Sequence, residues 1–191
     1  MNRPFIDDRR DAGRPTAEEV RGGTGQGALH DMLVQLEIQG ALEGLAARWA
    51  AERGISDPQL ESVRDCLSSI DILIGASKLS AQALAQFLVL NDRFHGLVVD
   101  AVQCRTLSQY AERPPKSVFA HPRVIQIFAS DPERLHAVLI IEQDQHHRII
   151  EAIQNGTGAR AESLVREHFL LCRRHLFDTA GLQAASGRRQ A

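Results

Sequence analysis

Between Met32 and Trp49, apolar residues recur at intervals of three and four: Met32, Leu33, Leu36, Leu42, Leu45, Ala46 and Trp49. That is the spacing of one face of an α-helix. Leu60, Val63, Leu67, Ile70 and Leu73 repeat it, and the pattern persists along most of the chain. No strand alternation, internal repeat or extended heptad series competes with it. A chain patterned this way must bury helix against helix. We expect an all-α, antiparallel bundle of about six or seven helices.

Local signals set the boundaries. The first helix should stop at Gly54. Ser56-Asp57-Pro58 reads as a cap followed by an early proline, and starts the second. A third helix is expected over 80 to about 103, and a short one over 106–111. Three prolines in RPPKSVFAHPR, 113–123, predict a loop or short-helix crossover. Asp131-Pro132 starts a helix that should reach Gln154 and stop at Asn155-Gly156. The last helix is expected from about Ala159 to Ala180, ending before Gly181.

Residues 1–28 are rich in Gly, Arg, Asp and Pro and read as a flexible segment. Within them GGTGQG is a linker rather than a phosphate loop, because no apolar strand precedes it and no Lys-Ser/Thr follows. Residues 29–180 form the helical domain, and 181–191 are expected to be a disordered tail.

The formal net charge of −2 shows no basic excess of the kind that draws a chain to nucleic acid. No apolar run approaches the roughly 18 residues of a membrane helix. The opening MNRPFIDDRRDAGRP has no apolar core of a leader, so a cytoplasmic protein is expected. Cys66, Cys104 and Cys172 are odd in number and far apart, which predicts free, structural thiols rather than a disulfide framework.

LNDRFHGLVVD places Asn91 and His95 one helical turn apart among Leu90, Phe94, Leu97 and Val98. His146 has Ile149, Ile150 and Ile153 at plus three, four and seven. His168 has Leu164, Leu171 and Cys172 at minus four, plus three and plus four. All three histidines therefore face inward, from three separate helices. Each alone could be a core histidine with an ordinary partner. Together they could converge on a metal, as ligands do in helical bundles, with Asn91 as a weaker oxygen donor. His147 falls about 100° round the helix from His146, at the edge. His30, His121, His136 and His175 have no comparable setting. Glu142 and Asp144 are read onto the solvated face.

Four segments in order, EIQGALEGLAARWAAERG, LNDRFH, QDQHHRIIEAI and GARAESLVREHFLLCRRHL, resemble the FCD domain. This is the all-helical, C-terminal effector-binding and dimerisation domain of GntR-type bacterial transcription regulators. The resemblance spans about residues 33–176. It implies a metal site built from Asn91, His95, His146 and His168, holding one divalent transition metal such as zinc, nickel or manganese. It also implies a small carboxylate effector, a homodimer and a full-length GntR-type relative as a further partner.

Two departures stand out. Relatives carry an arginine thought to help bind the effector where this chain has Gln39, in Glu37-Ile38-Gln39, and a neutral amide cannot form the bidentate charged pair. Relatives also carry a winged helix-turn-helix ahead of the domain, where this sequence has its glycine-rich segment. The expected function is thus a metal- and small-molecule-binding sensor and dimerisation domain that does not bind DNA by itself. The alternative is a stand-alone metal-dependent enzyme using the three-histidine site.

Overall fold

The structure, a computed structural model, describes residues 25–76, 79–111 and 131–187. Among them are six helices and no strand: α1 (Gly25–Arg53), α2 (Asp57–Ile74), α3 (Ala81–Asp100), α4 (Arg105–Ala111), α5 (Pro132–Gln154) and α6 (Gly158–Gly187). The all-helical bundle expected from the periodicity is what forms. The proline-rich crossover expected over 113–123 lies outside the described residues.

The helix ends follow local chemistry. Gly54 takes a φ of 86° and ends α1, and Gly156 takes 67° beyond α5. Both are left-handed conformations that glycine adopts without steric cost. Ser80 accepts a hydrogen bond from the Ala83 N–H at 3.0 Å to cap α3. Asp131 does the same for Arg134 at 3.0 Å, with Pro132 opening α5. α3 ends at Asp100, short of the expected Gln103, which instead turns the chain at φ 52°.

Two ends differ from expectation. α1 begins at Gly25, within the segment expected to be flexible, and α6 continues through Gly181 to Gly187. A glycine in a helix costs about 1 kcal/mol relative to alanine. Adding a turn to a helix that already exists is far easier than nucleating one. Glycine content alone is therefore a weaker stop signal than a glycine forced to positive φ.

The helices close a ring: α1 packs on α6, α6 on α5, α5 on α2, α2 on α3, and α3 back on α1. Leu36, Val63, Ile70, Phe87, Phe94, Leu139 and Ile149 are among the side chains buried in its core. The α1–α6 contact is the most extensive. It is close enough that a Cβ at Gly40 would lie 3.0 Å from the Phe169 Cβ. The missing side chain lets Phe169 seat its ring against His95 and His168, at centroid distances of 5.4 and 5.5 Å. No described helix is long and apolar enough to cross a membrane.

Candidate metal centre

The ring encloses a polar cluster to which four helices contribute: Glu43 from α1, Asn91 and His95 from α3, Glu142, Gln143 and His146 from α5, and His168 and Cys172 from α6. Six of these, Glu43, Asn91, Glu142, Gln143, His146 and His168, are the buried polar side chains among the described residues. His95, His146 and His168 do converge. Their ring centroids stand 5.3, 5.2 and 4.7 Å apart, and one nitrogen from each falls within 4.8 Å of the others. Phe94 packs on His146 at 4.2 Å, and Phe169 covers the other two rings.

The hydrogen bonds decide which nitrogen each ring offers. His95 Nδ1 donates to Glu43 Oε2 at 2.6 Å, and Glu43 Oε1 in turn accepts from Gln39 Nε2 at 2.9 Å. His168 Nδ1 donates to Gln145 Oε1 at 3.0 Å. His146 Nδ1 donates to Gln143 Oε1 at 3.1 Å. The Gln143 amide is pinned, because its nitrogen donates to the Leu67 carbonyl at 3.1 Å and to Asp71 Oδ1 at 2.7 Å. Its oxygen must therefore face His146. In all three rings Nδ1 is committed to an oxygen acceptor, which leaves Nε2 as the donor atom. This is how metal-binding imidazoles are usually oriented.

Three atoms of the cluster are buried without a partner: His146 Nε2, Asn91 Oδ1 and Glu142 Oε2, the first two beside the converging histidines. An unmet buried lone pair carries its full desolvation cost, and each is an atom that a cation would satisfy. Burial, then repulsion from His168, His95 and His147, holds His146 well below the usual imidazole range. Burial, then His95, does the same for His168. Both rings are thus in the neutral form that ligation requires. For His95, burial pulls the pKa down, but the charge and hydrogen bond of Glu43, with Glu142 and Asp92, outweigh it and leave the value raised.

Other predicted positions fall as follows. Gln39 is part-buried and reaches the histidines through Glu43 rather than directly. His147 is exposed and meets Asp71 at 3.0 Å. His136 bonds the Ile74 carbonyl at 2.6 Å, away from the cluster. His121 and the side chains of His30 and His175 lie outside the described residues. All three cysteines are free.

Glu142 corrects the sequence reading. It is fully buried rather than solvated, while Asp144 is exposed and pairs with Arg148 at 2.8 Å. Glu142 lies four residues before His146 and seven before Ile149, so it occupies their stripe. Glu43 was missed altogether, although it lies seven residues after Leu36 and three before Ala46, both buried.

No curated protein matches the sequence. A family model does: that of the FCD domain matches residues 35–171. This match takes in the three histidines and every other residue of the cluster except Cys172, and most of the helical ring, and the all-α fold accords with it. By this match over most of its length, the chain belongs to the FCD-domain family.

Proposed function

We propose that the domain is a metal-dependent sensor of a small carboxylate. His95, His146 and His168 bind one divalent transition ion through Nε2, with Asn91 Oδ1 as a weaker fourth donor. Zinc, nickel and manganese are the candidate ions. The observation that carries this reading is that every Nδ1 is tied back to an oxygen, while the His146 Nε2 and Asn91 Oδ1 lone pairs are buried and unmet. When bound, the ion supplies a positive centre with exchangeable positions. Three neutral imidazoles and an amide leave its charge largely uncompensated, and an anionic effector meets that charge. Gln39 helps hold the effector through its second amide N–H, replacing a charged grip with a neutral one.

The same reading makes the domain a homodimer. Ile72 and Val89, 78% and 68% exposed on α2 and α3, offer apolar surface for the contact. It also gives the chain a full-length GntR-type relative as a further partner. Light scattering should give twice the chain mass at tens of micromolar.

The ligand set is tested by calorimetry on chelator-treated protein. Zinc, nickel or manganese should bind at one ion per chain, and His146→Ala should lose affinity by orders of magnitude while circular dichroism stays helical. Undiminished binding by His146→Ala would overturn the assignment.

A further inference from the structure

Overlapping the three histidines is a second group of potential ligands, of which the sensor reading uses only His168. Glu142, His168 and Cys172 offer one donor atom each, all within 4.8 Å of one another, and all three residues are buried. Cys172 Sγ lies 3.3 Å from Glu142 Oε1 and 3.9 Å from His168 Nε2. Two ligand atoms about 2.1 and 2.3 Å from a tetrahedral zinc stand roughly 3.6 Å apart. The sulfur is thus already at the spacing of a shared coordination shell. Glu142 Oε2 is fully buried and has no hydrogen-bond partner. A buried carboxyl oxygen without a donor is costly in an apolar setting, and a cation would relieve it. His168 contributes through Nε2, since its Nδ1 is held by Gln145.

We propose that Glu142, His168 and Cys172 form a second, sulfur-containing seat for a thiophilic divalent cation, sharing the His168 imidazole with the three-histidine site. Binding breaks the S–H bond of Cys172 and the O–H bond of Glu142. Both protons leave to solvent, and metal–sulfur and metal–oxygen bonds take their place. Thiolate, carboxylate and neutral imidazole then cancel the charge of the dication, which a buried site requires. Soft sulfur selects for soft ions, whereas three imidazoles suit borderline ones. One imidazole nitrogen serves one ion, so the cation's chemistry decides which seat is filled. The proposal stands whether or not His95 and His146 hold an ion together.

Cadmium provides the test, because a cadmium–thiolate bond has its own ultraviolet charge-transfer absorption. The chelator-treated full-length chain is titrated with cadmium and the band is followed. It should grow to one equivalent in the parent and vanish in Cys172→Ala. Cadmium affinity should fall by more than the 10- to 100-fold typical of losing an outer-shell partner. His168→Ala should also abolish the band. His95→Ala and Cys104→Ser should retain it. Cys172→Ser, nearly isosteric, guards against a packing defect and should lose the band while melting close to the parent. Three results would overturn the proposal: no band in the parent, a band that survives in Cys172→Ser, or a band lost in His95→Ala. The last would place the sulfur in the histidine site instead. Failure of zinc, nickel or manganese binding with the cadmium band intact would sink the sensor reading alone.

Discussion

Two carboxylates are buried beside the same histidines, and they are held in different ways. Glu43 has a donor for each oxygen: Gln39 at Oε1 and His95 at Oε2. Glu142 has the weak Cys172 thiol at Oε1 and nothing at Oε2. Burial pushes its pKa up to about 8, against the smaller pull of Cys172 and His95. At neutral pH Glu142 therefore keeps its proton. Burial alone does not give a carboxylate a job; the donors around it do. Glu43 can orient a ligand, whereas Glu142 waits for a cation to replace its proton.

The largest effects should come from the ligands themselves. His146→Ala or His168→Ala should reduce metal affinity at the three-histidine site by orders of magnitude, measured by calorimetry. The carboxylates should then separate. Glu43→Gln removes the charged acceptor behind His95, and loss of such an outer-shell partner typically costs about 10- to 100-fold in affinity. Glu142→Gln swaps a protonated acid for an amide of the same shape. It should change affinity there by less than about threefold, under 1 kcal/mol. Equal losses in the two variants would break the contrast between them.

That contrast also marks what the sequence could disclose. His95, His146 and His168 were legible because each has apolar neighbours at helical spacing, and Asn91 because it lies one turn before His95. Glu43 and Glu142 share those stripes, yet charged residues are rarely buried without partners, and that expectation placed Glu142 in solvent. The partners that bind them into the cluster, His95 for Glu43 and Cys172 for Glu142, are on other helices, so no local pattern could reveal them. The role of Gln143 was equally hidden, since it depends on Leu67 and Asp71 of α2 lying against α5. In the fold, cap-and-proline signals and the Gly54 turn marked helix ends well. The ends expected from glycine content alone did not: a helix begins at Gly25, inside the segment expected to be flexible, and the last helix runs past Gly181 to Gly187.

The next effect is on stability against pH in metal-free protein. His146 and His168 remain neutral when folded but titrate near 6.5 when unfolded. Their stabilising contribution is present above that value and falls as pH drops below it, by about 1.4 kcal/mol per pH unit for each proton. Glu142 has the opposite sign. Its folded value of about 8 lies above the unfolded one, so it loses stability as pH rises between the ordinary carboxyl value of 4.5 and about 8. Below 6.5 two histidines outweigh one carboxyl, and stability declines toward acid. Above 6.5 Glu142 still costs stability, and His95, raised by Glu43, loses its contribution as pH climbs through its folded value. Urea unfolding of chelator-treated protein from pH 5 to 8.5 should therefore show a maximum near 6.5. In Glu142→Gln the alkaline decline should become shallower. A steady rise to pH 8 in the parent would contradict the protonated state of Glu142.

A small effect should also come from His147, one residue from the most buried ligand. It is exposed and pairs with Asp71, which also accepts from the Gln143 amide that orients His146. His147 could thus matter indirectly, by steadying Asp71. But Gln143 keeps its bonds to Asp71 and to the Leu67 carbonyl without it. An exposed pair of this kind is worth about 0.2–1 kcal/mol. His147→Ala should therefore lower metal affinity by less than about fivefold, and His136→Ala, bonded to the Ile74 carbonyl elsewhere on α5, should leave it unchanged. If calorimetry gave His147→Ala a loss approaching that of His146→Ala, Asp71 rather than the Leu67 carbonyl would be what fixes Gln143, and the site would extend through α2 to the surface.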